Sequence, residues 1–348
     1  MRGKKPYLVV MLIQLIYAGY FLLTKLALDV GMNTCVFVFY RQAAATLFLV
    51  PITIILERKS APPLSFSLTI KIFLLSLIGI TMSLNIVGVA LKYTSASLGA
   101  ATSNTLPIIT FFLAVLLRME SVKPRTGPGI MKLGGVILCL AGVATIAFFK
   151  GPLLKLLVHH HLISSRIGEM QQEQAPAADS WVKGVFLMMF SNVTWALWLL
   201  LQGRLLKGFP SKLLLTTLQC LLSTIQSFLV ALVFARDLAQ WKLGFDVQLL
   251  SIFYCGVVVT GVTFYLQAWV IEKKGPIFLV MTTPLIMIFT ITISALVCGE
   301  IITLGSVLGG ILLVGGLYCV LWGKMKEEEI AKGECNPKVV DEKASSLV

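Results

Sequence analysis

The sequence predicts an all-α polytopic membrane protein with ten transmembrane helices arranged as an inverted 5+5 repeat. Three observations predict it. The 348 residues are 57% hydrophobic and 13% charged, with a mean hydropathy of +0.90, whereas a soluble domain carries about 25% charged residues to meet water. Apolar runs follow one another along the chain, each near the ~20 residues that cross a hydrocarbon core of ~30 Å. These runs fall into two groups that repeat motifs in the same order.

Composition also excludes classes. The low charge, the lack of a Gly-X-Y period and only seven cysteines rule out disordered, collagen-like and disulfide-framework chains. A net charge of +13 would suggest nucleic acid as a partner for a soluble domain. Here the basic residues stand in short clusters between apolar runs, so they report orientation in a bilayer and no nucleic-acid partner is expected.

The first span, Tyr7–Leu28, follows Arg2, Lys4 and Lys5, as a signal peptide would. It is span-length, ends in Thr24, Lys25 and Asp29 and shows no small-residue cleavage site, so it reads as a retained helix. The second, Thr34–Leu56, carries Arg41; the third, Thr69–Leu91, carries Asn85. The fourth, Ala96–Leu117, opens on small residues and contains Asn104 and Pro107; the fifth, Ile130–Phe149, is glycine-rich. After the longest polar connection come Val182–Leu201 with Asn192 and Trp195, Leu213–Phe234 with Gln219 and Gln226, and Val247–Ile271 with Gln267. Ile277–Cys298, with Thr283 and Pro284, and the glycine-rich Leu304–Trp322 complete the set. The cysteines lie mostly inside these runs without metal-ligand spacing, as small apolar side chains.

Alternating the spans puts 20 of the 29 Lys and Arg on the side of the N-terminus. The positive-inside rule then places both termini in the cytoplasm, as an even number of spans requires. The expected organisation is residues 1–149 as a first five-helix repeat, 150–181 as a central non-cytoplasmic loop, 182–322 as a second repeat and 323–348 as a cytoplasmic tail.

The repeat rests on matched features. Thr105-Leu-Pro-Ile-Ile109 resembles Thr282-Thr-Pro-Leu-Ile286, Glu120 and Glu300 follow their spans, and Gly135/Gly142 match Gly309/Gly316 in spacing. Five is odd, so the second copy enters the membrane inverted, an architecture common among secondary transporters. Prolines at matched places remove a helical hydrogen bond and kink or break their helices, the best sequence pointer to a transport site. The glycines permit close helix approach within a half or between subunits of a homo-oligomer.

No catalytic constellation is legible. The histidines are His159, His160 and His161, adjacent in the central loop; no HExxH, GxSxG or GxxxxGKS/T string occurs. No enzyme activity, cofactor or metal is expected. Polar residues inside spans normally face a cavity or another helix. Arg41, about 10 Å into its span, either forks onto a solute carboxylate or snorkels outward or pairs with a neighbour such as Asp29. Gln14 and Tyr17 share a face of the first helix, Asn104 and Pro107 of the fourth, Asn192 and Trp195 of the sixth. With Asn85, Gln219, Gln267, Thr283 and Pro284 they form the candidate substrate-binding set for a zwitterionic or uncharged solute. Acidic residues sit at span ends, which favours facilitated, bidirectional movement over proton coupling.

Beyond these readings, the chain resembles the EamA-type drug/metabolite transporter superfamily and is similar to the plant nodulin-21-like, UMAMIT or Walls-Are-Thin-related group. The resemblance covers nearly the whole chain. It is carried by Phe39-Tyr-Arg-Gln42, Glu57-Arg-Lys-Ser-Ala-Pro-Pro-Leu-Ser-Phe66, Trp195-Ala-Leu-Trp198, Gln267-Ala-Trp269, Thr283-Pro-Leu285 and Leu321-Trp-Gly323, in that order. It implies movement of amino acids across plant membranes, often in either direction, with some relatives linked to auxin. It also implies that the first four spans of each half line the cavity while the fifth and tenth are peripheral. Arg118-Met119 precedes Glu120 where the superfamily often has glycine, as at Gly299-Glu300. The expected function is alternating-access transport of amino acids or similar solutes, with export of auxin or other aromatic metabolites as the alternative. A receptor or scaffold without flux is the reading from another class. The plasma membrane is the expected location, with the vacuolar and endoplasmic reticulum membranes as alternatives.

Overall fold

The computed structural model describes residues 5–57, 65–93, 102–119, 126–148, 153–154, 178–209, 211–244, 246–297 and 302–334. Glu120, Glu300, the three histidines and the tail beyond residue 334 lie outside the described residues. The helices are α1 (Lys5–Asp29), α2 (Thr34–Glu57), α3 (Phe66–Tyr93), α4 (Leu106–Leu116) and α5 (Gly127–Phe148). The second half supplies α6 (Ala178–Gly208), α7 (Lys212–Phe234), α8 (Val247–Lys274), α9a (Pro276–Met281), α9b (Pro284–Val297) and α10 (Leu304–Glu334). A two-residue antiparallel bridge pairs Leu153–Leu154 with Ile302–Thr303.

Among the described residues, 7 helices are long and apolar enough to cross a membrane, and the shorter apolar helices 106–116, 127–142 and 276–290 bring the set to the ten expected spans. The burial pattern fits lipid as the outer solvent. Leu47, Ile55 and Phe186 are exposed, while Arg41, Gln42, Gln202 and Gln219 are at most 1% exposed. A water-soluble fold would show the opposite distribution. Association inside a bilayer then rests on close packing and interhelical hydrogen bonds.

Helix packing repeats across the halves. The face of α1 packs on α8 and α9b, and the corresponding face of α6 packs on α3 and α4; α2 packs on α7, and α5 on α10. On the α2–α7 seam, Thr46 Oγ1 lies 2.9 Å from Thr224 Oγ1, and Thr53 Oγ1 lies 2.6 Å from Thr217 Oγ1. One fixed sequence offset carries Thr46 to Thr217 and Thr53 to Thr224, so the pseudo-two-fold exchanges the two hydroxyl pairs. The inverted repeat is therefore expressed in contacts as well as in span order.

Two local departures from α-helix also match. A π-helical segment occupies Ser76–Met82 in α3 and another Tyr254–Thr263 in α8. π turns leave carbonyls poorly served and are frequent at functional sites. Thr260 and Thr263 each donate to the carbonyl five residues back, and a long side chain from the facing helix completes each seam. Arg41 Nε donates to Cys255 O at 3.1 Å and to Thr260 Oγ1 at 2.7 Å. Gln226 Nε2 donates to Phe73 O at 3.1 Å, and its Oε1 accepts from Thr81 at 2.8 Å.

The expected fourth and ninth spans are broken. Asn104 and Thr105 form a turn before α4, with Pro107 in its first turn; Thr282 and Thr283 separate α9a from α9b, which starts at Pro284. Each proline therefore restarts a helix, at the position where its missing N–H is tolerated.

The α5–α10 pair is the tightest. A methyl on Gly316 would stand 2.6 Å from both Gly135 O and Cys139 Sγ, whereas nothing lies within 4 Å of the same position on Gly310. Lys132, 1% exposed, pairs with Glu327 across this seam. Gly316→Ala is expected to lower stability by about 1–3 kcal/mol through overpacking. Gly310→Ala should leave it unchanged or raise it by up to about 1 kcal/mol through helix propensity. Thermal unfolding of the two variants in detergent measures both.

Candidate functional site

The two breaks are held by amides that reach across from the opposite half. Gln14 Nε2, on α1, donates to Thr282 Oγ1 at 2.6 Å. Asn192 Nδ2, on α6, donates to Thr102 O at 2.9 Å and to Thr105 Oγ1 at 3.1 Å. One sequence offset carries Gln14 to Asn192, Tyr17 to Trp195 and Thr105 to Thr283. Corresponding amides on α1 and α6 thus each reach the break in the other half, at neighbouring positions. In a bilayer the backbone groups freed by a broken helix need protein partners; Asn192 serves the Thr102 carbonyl across the halves, and Gln14 orients the Thr282 hydroxyl that serves Leu279 O at 2.6 Å.

A cavity of about 80 Å³ lies at this junction. Gln14, Tyr17, Arg41, Asn192, Trp195, Gln267 and Thr283 line it, seven of the residues expected from sequence. Tyr20, Phe21, Ser83, Ser103, Met188 and Ser191 line it too and were not anticipated. Tyr20 stands one helical turn beyond Tyr17, so α1 periodicity carried a signal for it. The serines are short and common on interhelical faces, and carried none.

Arg41 is the one charged residue among the described lining residues. It is 1% exposed, so it does not snorkel, and Asp29 pairs instead with Lys25 at 2.9 Å. Its Nε is bound to the α8 seam and its guanidinium stacks over Tyr20, 4.7 Å from the ring centroid. The cation–π contact supplies roughly 0.5–2 kcal/mol. No carboxylate is among the described partners of Arg41. A buried guanidinium held by neutral groups alone still favours an anion at its remaining donors.

The other polar groups are arranged around it. Gln267 Nε2 donates to Tyr17 Oη at 3.1 Å, while Gln267 Oε1 is buried without a partner. Ser83 and Ser191 hydroxyls lie 2.9 Å apart at the cavity wall. Trp195 stacks on Trp198 at 4.7 Å between centroids, and both contact Phe264. The cavity thus offers one cation, a few amides and hydroxyls, and an aromatic side.

The remaining expected site residues stand elsewhere. Asn85 Nδ2 bonds Thr81 O within its own helix. Asn104 Nδ2 lies 3.0 Å from Met287 Sδ, beside the break. Pro107 and Pro284 start their helix segments and shape the site without lining it. Gln219 is fully buried on α7, with both amide atoms unpaired, away from the lining.

Comparison with known proteins adds identity to this geometry. The model of the EamA-like transporter family matches residues 4–148 and again 182–322. A WAT1-related protein of Arabidopsis thaliana, At5g64700, is 54% identical over 94% of this chain and 92% of its own. Another, At1g43650 of the same plant, is 44% identical over 95% of each chain. Protein WALLS ARE THIN 1 of Arabidopsis thaliana is 32% identical over 93% of this chain and 84% of its own. A solved crystal structure superposes with a TM-score of 0.61 over 89% of this chain and 98% of its own, at 15% identity, and so shares the fold.

The cross-half clasp generates a stability test. Asn192→Ala removes the donor that crosses between the halves to Thr102 O and Thr105 Oγ1 and should lower the unfolding free energy by about 0.6–2 kcal/mol, the range of interhelical hydrogen bonds in membranes. Gln219→Leu removes two unpartnered amide atoms and should leave stability unchanged or raised. A fluorescence-detected melting series in detergent compares them; equal losses would contradict the assignment.

Proposed function

Because the chain belongs to the EamA-like transporter family, among its WAT1-related members, we propose that it carries amino acids or similar small organic acids across a membrane by alternating access. The protein is a multi-pass membrane transporter; its substrate class is the proposal. The observation that carries it is Arg41, a buried cation in the central cavity whose described partners are all neutral. A solute carboxylate supplies the missing charge, and the unpaired Gln267 Oε1 is an acceptor placed for an ammonium or hydroxyl.

The cavity volume supports a moving site. At about 80 Å³ it is well below the ~300 Å³ at which small-molecule pockets begin. Admitting a solute requires the halves to part, which the inverted repeat provides from either side. Acidic side chains stand at span ends in the sequence, so the movement we propose is facilitated and bidirectional. The basic side carries both termini into the cytoplasm, and the plasma membrane is the proposed location.

A second reading has its own observation. Tyr17, Phe21 and Trp195 line the cavity beside Arg41, a combination that also fits an aromatic carboxylate such as auxin. The wall favours flat apolar solutes, while the amides favour amino acids.

Radiolabelled uptake and efflux in proteoliposomes, with a panel of amino acids and auxin, separate the readings. Arg41→Gln should reduce flux of any carboxylate solute at least tenfold, the loss of roughly 1.4 kcal/mol or more expected for a charge-assisted bond. Trp195→Ala should impair aromatic solutes more than small aliphatic ones. Unchanged affinity in Arg41→Gln would remove the carboxylate anchor. Solute binding without flux in the wild type would favour a receptor.

A further inference from the structure

A second cavity, of about 450 Å³, lies between α3 and α6, on the outer side of Trp198. Its walls are two leucine-rich stripes, Leu74 and Ile78 on α3 facing Leu197, Leu201 and Leu205 on α6. Lys71 and Arg204 stand together at one end. Lys71 lies near the start of α3 and Arg204 near the end of α6, so in antiparallel helices both fall at the same membrane surface. From Lys71 to Ile78 the slot runs about 10 Å along the helix, at 1.5 Å per residue.

Neither cation has an ion-pair partner among the described residues; Arg204 donates one Nη to Leu117 O. At the deep end Trp198 is fully buried, and its indole Nε1 has no hydrogen-bond partner. Two cations at the surface and an apolar slot running inward from them make the profile of an amphipathic anion lying along the helix axis.

We propose that this slot holds an anionic phospholipid. The phosphate sits between Lys71 and Arg204, and an acyl chain lies against the leucine stripes, with the buried Trp198 closing the deep end. Basic pockets between transmembrane helices recognise lipid head groups in this way. A free solute would leave the apolar walls unused, and a neutral lipid would leave both cations unmatched. The site is separate from the transport cavity, although Trp198 stacks on Trp195, which lines that cavity.

Native mass spectrometry of the full chain, delipidated and titrated with phosphatidylglycerol or phosphatidylcholine, tests the assignment. Phosphatidylglycerol should bind at least tenfold more tightly. The Lys71→Gln/Arg204→Gln variant should lose roughly 30-fold in that affinity, taking about 1 kcal/mol for each basic contact. Lys207→Gln, a neighbouring cation outside the slot, should leave it unchanged. Leu201→Trp, which fills the slot and keeps both charges, should also abolish binding. Equal affinity for the two lipids in the wild type, or undiminished phosphatidylglycerol binding in Leu201→Trp, would overturn the proposal, as would displacement by inorganic phosphate alone.

Discussion

The structure depends on one constraint, the need to satisfy the backbone of two helices that break inside a bilayer. Lipid offers no hydrogen bonds, so a broken transmembrane helix is tolerated only where protein or a water-filled cavity takes over the freed groups. Asn192 does so at Thr102 O and holds the Thr105 hydroxyl, while Gln14 holds the hydroxyl of Thr282, which itself donates to Leu279 O. Both amides reach from one half of the repeat to the other. The halves are consequently joined at the point where their helices are weakest, and the cavity opens at that point because the broken segments have turned away from regular packing.

The π segments extend the same logic outward. Each widens a helix where α2 or α7 docks, and each is met by a long polar side chain, Arg41 of α2 reaching α8 and Gln226 of α7 reaching α3. The chemistry differs. Gln226 is neutral and engages both ends of its amide within the seam, whereas Arg41 brings a charge whose described partners are all neutral. Transfer of an unpaired ion from water is far more costly than transfer of an amide, so a glutamine would close the α8 seam at lower cost. The excess charge has a rationale in the cavity, where the rest of the guanidinium sits.

Much of this was legible in the residues, and the illegible part has physical causes. The breaks could be read from Pro107 and Pro284 in matched strings, and the pairs Gln14/Tyr17 and Asn192/Trp195 from helical spacing. The sequence groups Asn85 and Gln219 with them, because a polar residue in an apolar span announces only that it avoids lipid. In helices apolar on nearly every face, periodicity does not separate a cavity wall from an interhelical seam, and Gln219 fell on the seam side. The π segments left no mark in sequence. They contain no proline, and they arise where a close neighbour, Arg41 O against Gly256 or Trp198 against Gly79, sets the helix spacing.

Under the alternating access we propose, inverted symmetry also constrains how the two access states compare. Exchanging the conformations of the halves turns each contact into its counterpart. The Thr46–Thr224 and Thr53–Thr217 pairs become each other, threonine for threonine, so the α2–α7 seam can serve both states with the same chemistry. The clasps at the breaks exchange a glutamine for an asparagine, and Tyr17 for Trp195, so their contributions differ somewhat between states. Arg41 exchanges with no cation in the described cavity. An anion bound to it remains with one half throughout the motion, and the empty and loaded carriers weigh the two states differently. On the proposed reading of an anionic solute, direction-dependent affinity would follow from one arginine placed on one side of an otherwise duplicated site.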